Sequence, residues 1–229
     1  MLKKLIGPFL LWIFIAPVAH ASLVLDQNRV IYPGALDQSA EVKISNPTQN
    51  DFLVQAWAED KDGRSQQDIF VDPPLSKIKG QHKISLRIMA INPSLVNKPQ
   101  EQLYWLNVKE IPKIDKATNA AQLAIVMRTR IKILYRPKGV PEDMEQAYKN
   151  LEWKHNSSGL QVFNPTPYYI TFDKVWLDNK KSKIIKADMI PPFSTTLMAK
   201  GSAGQAAVVN YTVINDFGDT SDVVQKNVH

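Results

Sequence analysis

Apolar and polar residues alternate along most of the chain with a period of two. Clusters of Gly, Pro, Asn and Asp break the alternation at short intervals, which is the pattern of half-buried strands separated by turns. Arg29-Val-Ile-Tyr32 predicts a strand that stops at Pro33-Gly34. Glu41-Val-Lys-Ile-Ser45 predicts another, ended by Asn46-Pro-Thr48. Further strands are expected over Asp51 to Glu59, before the polar turn Asp60-Lys-Asp-Gly63, and over Ile69-Phe-Val71, before Asp72-Pro-Pro74. Two more are expected over Lys83–Ala90 and Leu103–Ile111.

The longest candidate strand is Gln122-Leu-Ala-Ile-Val-Met-Arg-Thr-Arg-Ile-Lys-Ile-Leu-Tyr-Arg-Pro137. Its first half is apolar on both faces. Its second half interleaves Arg128, Arg130, Lys132 and Arg136 with Ile131, Ile133 and Tyr135. A covered core strand looks like this, and so does an edge strand that lends itself to another polypeptide. In the second case the backbone and apolar side chains pair with a client while the cations hold an anion.

After Pro137 the texture changes. Pro137-Lys-Gly-Val-Pro141 reads as a connection, and Glu142–Tyr148 as a short helix. Strands then resume at Leu160–Phe163, Tyr168–Phe172, around Ile184-Ile185, and from Ala206 to Ile214. The expected fold is all-β: two β-sandwich domains with a cleft between them. The expected division is an export signal over 1–21, a first domain over 22–140 and a second over 148–229.

The first residues sharpen this picture. Met1-Leu-Lys3-Lys4, a short apolar run and Ala19-His-Ala21 have the form of a cleavable secretory signal, with Ser22 expected as the mature N-terminus. The apolar run is short for a bilayer span and holds two prolines, so membrane insertion is not expected. Removing the signal lowers the formal net charge of +6 by the charges of Lys3 and Lys4. The mild basic balance that remains is not massed on one predicted helix, so nucleic acid is a poor partner. The chain has no cysteine, which removes thiol catalysis and thiolate-bound metal. His82 and His155 are far apart, and no G-x-S-x-G is present, so no catalytic residue, metal or cofactor is expected.

Some charged residues stand out. Arg29 lies in the first strand, and Lys132 is flanked by Ile131 and Ile133 where burial is expected. A buried cation needs a partner, although both residues also fit ordinary solvent-facing positions. Glu101, Arg136 and Asp216 lie near the predicted domain boundary or follow an apolar run. They are either an ionic cluster that fixes the two domains or separate surface and turn charges.

Four blocks in order carry a family likeness: Leu103-Tyr-Trp-Leu-Asn-Val-Lys-Glu-Ile-Pro112, Arg130-Ile-Lys-Ile-Leu-Tyr-Arg-Pro137, Asn164-Pro-Thr-Pro-Tyr-Tyr169 and Ile214-Asn-Asp-Phe-Gly218. With them the chain resembles the periplasmic pilus-assembly chaperones of the chaperone–usher pathway, the PapD-like family, over nearly all of the expected mature chain. The resemblance implies two immunoglobulin-like domains in a boomerang arrangement. It implies that Arg29 and Lys132 anchor the C-terminal carboxylate of a pilus subunit. Leu123, Ile125 and Met127 would be the donor residues that fill the groove of that subunit, and Glu101, Arg136 and Asp216 an inter-domain ionic cluster. The implied partners are fimbrial subunits and an outer-membrane usher, and an exposed donor strand leaves a self-capping homodimer open. Two other readings remain at this point. A pilus subunit or adhesin would carry an N-terminal donor extension, yet Ser22-Leu-Val-Leu25 runs almost directly into the first domain. A secreted ligand-binding sandwich would bind glycans without needing Lys132.

Overall fold

The computed structural model describes residues 23–34, 39–64, 67–112, 125–141, 144–177, 184–200 and 207–229. As the alternation predicts, regular structure is almost all β. The first domain holds β1 (Val24–Leu25), β2 (Arg29–Pro33), β3 (Ala40–Ser45), β4 (Phe52–Asp60), β5 (Ile69–Asp72), β6 (Leu75–Ile78), β7 (Lys83–Ala90), β8 (Gln102–Pro112) and β9 (Met127–Arg136). One sheet has the order β1-β3-β7-β5 and the other the order β2-β9-β8-β4-β6. Every pairing in them is antiparallel except β2 with β9, which run parallel with Arg29 opposite Lys132. Inward residues of both sheets, among them Ile44, Leu86, Leu106 and Ile133, close a common core.

The second domain holds β10 (Glu152–Asn156), β11 (Gly159–Asn164), β12 (Ile170–Leu177), β13 (Ile184–Ile185), β14 (Met189–Ile190), β15 (Ser194–Lys200), β16 (Val208–Val213) and β17 (Val224–Asn227). A three-stranded sheet β10-β11-β15 faces a sheet ordered β13-β12-β16-β17, with β14 also on β12. The core between them is built around Trp153, whose ring meets Phe172 and Tyr211 with centroids 5.9 and 5.7 Å away.

Several elements differ from the sequence pattern. The helix expected over Glu142–Tyr148 is instead a turn followed by a single 3₁₀ turn, Tyr148–Asn150. Residues 142–143 lie outside the described residues. Chain extension resumes at once because Leu151 and Trp153 must enter the second core. β12 begins at Ile170, not Tyr168, since the Tyr169 amide is diverted to Glu101. It then runs on to Leu177 past Asp173 and Lys174, where the register against β16 shifts. β6 and β15 lack the apolar–polar alternation that announces a strand. Ser194-Thr-Thr-Leu-Met-Ala-Lys200 is held by its ladder to β11.

An Asn-Pro-Thr corner occurs once in each domain, directly after β3 and at the end of β11. Asn46 is buried and donates through Nδ2 to the carbonyls of Asn50 and Lys79, while its Oδ1 accepts from the amide and hydroxyl of Thr48. Asn164 makes the same set, to the carbonyls of Tyr168 and Pro191 and from Thr166. Each corner satisfies backbone groups that burial would otherwise leave unpaired.

Candidate functional site: the inter-domain cleft

The two domains meet at the C-terminal half of β9. A small apolar cluster joins Leu103, Leu134, Ile31 and Trp105 of the first domain to Tyr169 and Met189 of the second. Beside it lies an ionic centre. Arg136 is buried, as is Glu101, and their Nε–Oε1 distance is 2.9 Å. The same guanidinium is bidentate to Asp216, Nη1 to Oδ2 and Nη2 to Oδ1, each at 2.6 Å. Its far side stacks on Tyr168, 5.3 Å from the ring centroid. The other Glu101 oxygen accepts the Tyr169 amide at 2.8 Å. Burial pushes the Glu101 carboxyl up to about 7, against the pull of Arg136 and that amide. Burial also opposes the Arg136 charge, but its hydrogen bonds to Asp216 and the fields of both acids outweigh burial and raise its pKa.

Asp216 is placed by a tight turn. Asn215 Oδ1 accepts the amides of Phe217 and Asp219, and Gly218 has φ of +88°. A Cβ on Gly218 would also lie 2.4 Å from the Asn28 side chain of the first domain, so this glycine satisfies both the turn and the close approach.

Arg29 and Lys132 face each other across the parallel β2–β9 pair. Arg29 is only 8% exposed. Its Nη1 donates to the Ile214 carbonyl at 3.1 Å, and its Nε has no hydrogen-bond partner among the described residues. Lys132 Nζ lies 3.2 Å from the Thr171 hydroxyl of β12. Burial lowers the Lys132 pKa, and the neighbouring Arg29 charge lowers it further. Burial likewise lowers that of Arg29, partly offset by Asp216 and Glu101. Two half-satisfied cations at one point form a site for an anion with two acceptor oxygens.

The remaining geometry lies on the edge of β9. Strand β8 pairs with β9 without interruption from Gln102 opposite Tyr135 to Glu110 opposite Met127. On the other side, β2 covers only Lys132 to Arg136. Among the described residues no strand covers that side of β9 from Arg128 to Ile131. Met127 lies on the same face as Ile131 and Ile133, and it is 52% exposed although it pairs with Glu110, which lies beside the buried Val54. Ile125 is 68% exposed and precedes the paired strand. Leu123 lies outside the described residues. Sequence reasoning did not reach Thr171, the Ile214 carbonyl or the Tyr169 amide, which meet the first domain only through docking.

The chain is similar to known proteins over nearly its whole length. Residues 22–141 match the family described as "Pili and flagellar-assembly chaperone, PapD N-terminal domain". Residues 146–225 match "Pili assembly chaperone PapD, C-terminal domain". Chaperone protein FocC of Escherichia coli is 34% identical over 223 residues, 96% of each chain. The crystal structure of the periplasmic chaperone SfaE has 32% identity and a TM-score of 0.75, covering 90% of this chain and all of that one. The SafB chaperone of Salmonella enterica, solved in complex with the SafA pilin, has 26% identity and a TM-score of 0.79, covering 90% of this chain and 96% of that one. The two sandwiches, the cleft between them and these full-length likenesses make the chain a member of the PapD family of pili-assembly chaperones.

Proposed function

We propose that this chain is a periplasmic chaperone that holds a fimbrial subunit by lending it β9, with the subunit's C-terminal carboxylate fixed between Arg29 and Lys132. The observation that carries this reading is the edge of β9 from Arg128 to Ile131, which no strand covers among the described residues and which ends where β2 begins. A client strand laid there with its C-terminus at Arg29 and Lys132 runs parallel to β9. Its last residue then stops short of the Arg29–Lys132 pair, no further along than Ile131, with its carboxylate against both cations. Ladder hydrogen bonds satisfy the edge, and charge-assisted bonds hold the chain end. Met127 and Ile125 continue the row of Ile131 and Ile133 with exposed apolar side chains, so they fill the groove of a subunit that lacks a strand. A period of two assigns Leu123 to the same row. SafB, a relative solved with a pilin, supports this class of partner.

In this reading Glu101, Arg136 and Asp216 set the angle between the domains and so the spacing between Lys132 and Thr171. Residues 1–21 are the export signal, and the domains run over 22–140 and 148–229. The loaded complex delivers its subunit to an outer-membrane usher. Without a client, the open edge pairs with a second copy as a self-capping homodimer. The work is non-catalytic, since no covalent bond is made or broken.

The test is affinity capture from periplasm with the mature protein and with Lys132→Ala, followed by anisotropy of a peptide copying the last strand of the captured subunit. Losing the ammonium is expected to weaken the peptide by about 2 kcal/mol, roughly thirtyfold. Amidating the peptide's C-terminus should produce a similar loss. Lys132→Ala is cleaner than Arg29→Ala, because Lys132 meets the second domain only through the Thr171 hydroxyl, whereas Arg29 is buried and bonds the Ile214 backbone carbonyl. Undiminished capture by folded Lys132→Ala protein overturns the anchor.

A further inference from the structure

The outer face of the sheet β2-β9-β8-β4-β6 carries a second charged array that the carboxylate anchor does not use. Alternation puts Arg128 and Arg130 of β9, Trp105 and Asn107 of β8, and Trp57 and Glu59 of β4 on that face, because Ile131 and Ile133 point into the core. Arg128 reaches back across β8. Its guanidinium lies 5.2 Å from the Trp57 ring centroid, its Nε is 2.8 Å from Asn107 Oδ1 and its Nη2 is 2.8 Å from Glu59 Oε2. Arg130 lies 4.2 Å over the Trp105 ring, with Nη2 3.4 Å from the same Glu59 oxygen.

Two guanidiniums therefore share one carboxylate, and a positive charge is left over. Glu59 is buried beneath them and also accepts the Trp57 indole N–H at 3.0 Å. Arg128 Nη1 and both Nε and Nη1 of Arg130 have no acceptor among the described residues. The Trp105 Nε1 is buried and likewise has none. The arginine side chains remain 45% and 37% exposed. Guanidiniums plated on indoles hold their direction before a partner arrives, so little further ordering is needed on binding.

The face is turned towards the cleft, since Trp105 itself packs in the cluster that meets Tyr169 and Met189 of the second domain. A client paired to residues 128–131 and anchored at Lys132 has this face as its floor. We propose that Arg128 and Arg130 form a second recognition surface, which takes carboxylate side chains on the folded body of the subunit. This rests on the reading that a subunit occupies the cleft, but it concerns a different part of that subunit from the chain end. The chemistry it selects is an acidic patch, because a basic one would face uncompensated guanidiniums.

The test uses the subunit that co-purifies with the wild-type chaperone, together with a synthetic peptide copying only its last strand. Two variants are compared, Arg128→Gln/Arg130→Gln and the same pair with Glu59→Gln. The triple variant leaves no buried acid without a counter-charge, so it decides the question if the double variant folds poorly. The whole subunit is expected to leave both variants about tenfold faster than wild type. Its release from them should also depend less on salt than release from the wild-type complex. The peptide, having no body, should bind all three proteins alike. Release of the subunit from the folded triple variant at the wild-type rate overturns the proposal and leaves the cleft reading intact, and so does equal weakening of the peptide. If the wild-type protein binds neither probe, the cleft reading falls and this proposal with it.

Discussion

In the free protein the Lys132 ammonium is half-buried beside Arg29, and burial together with that neighbouring charge lowers its pKa below 10.5. A lysine whose pKa is lowered by folding opposes folding while it is charged. The free protein should therefore gain stability as pH rises through the lowered pKa towards 10.5. A bound carboxylate favours the ammonium and reverses the order, so client affinity should fall over that same alkaline window. Thermal melts of the free protein and peptide titrations across the window should slope in opposite directions, and Lys132→Ala should flatten both. Parallel slopes would show that Lys132 does not meet the anion. At Asn164 four hydrogen bonds converge on one buried amide. Asn164→Ala is expected to cost about 3 kcal/mol, because it leaves several buried groups unpaired. Urea unfolding followed by tryptophan fluorescence should detect the loss, with Trp153 in the second core as a reporter.

At the scale of elements, β9 contains both the legible and the illegible parts of this chain. Its basic half and its apolar half are visible in the sequence, and so is its position before the change in texture at Pro137. The short parallel reach of β2 is not visible, because Arg29-Val-Ile-Tyr32 carries no mark of the partner it will choose or of where that pairing starts. Yet that start converts a long apolar strand from ordinary core into an open edge. β15 was illegible for a related reason, since its Ser and Thr residues are strand-forming only once β11 is beside them. The repeated Asn-Pro-Thr was legible as a turn in each domain. Its second role, closing buried carbonyls on both sides, depends on Lys79 and Pro191, which are remote in sequence. The exposed end of the donor row gives a sharp prediction. Ile125→Glu should change stability by no more than about 0.5 kcal/mol, while capture of the subunit is lost. Intact capture would mean that the row does not enter the client.

Across the whole molecule, two separate cores are coupled through a small apolar cluster, the ionic centre on Arg136 and single bonds from Arg29, Lys132 and Glu101. Arg136→Met leaves Glu101 buried without its counter-charge, a change worth about 3–5 kcal/mol. Asp216→Asn should be milder, because Asp216 is 23% exposed and the Arg136–Glu101 pair survives. Small-angle scattering and calorimetry should show Arg136→Met loosening the two domains into separate transitions, with Asp216→Asn close to wild type. The three members of this cluster are identifiable in the sequence as charged residues near a boundary. Their convergence is not, since it requires the Asn215–Gly218 turn to bring Asp216 onto a strand eighty positions earlier.

The point where β2 begins also makes the cleft a ruler. A client strand is positioned from its terminus inwards, and its side chains alternate between the two faces of the sheet. Adding or deleting a single residue at the client's end would thus exchange its whole buried set for its whole exposed set. Adding or deleting two would restore the pattern and cost only one rung at the far end. Capture efficiency plotted against the number of terminal residues should therefore oscillate between odd and even lengths, as if the chaperone counted its clients from the last letter back.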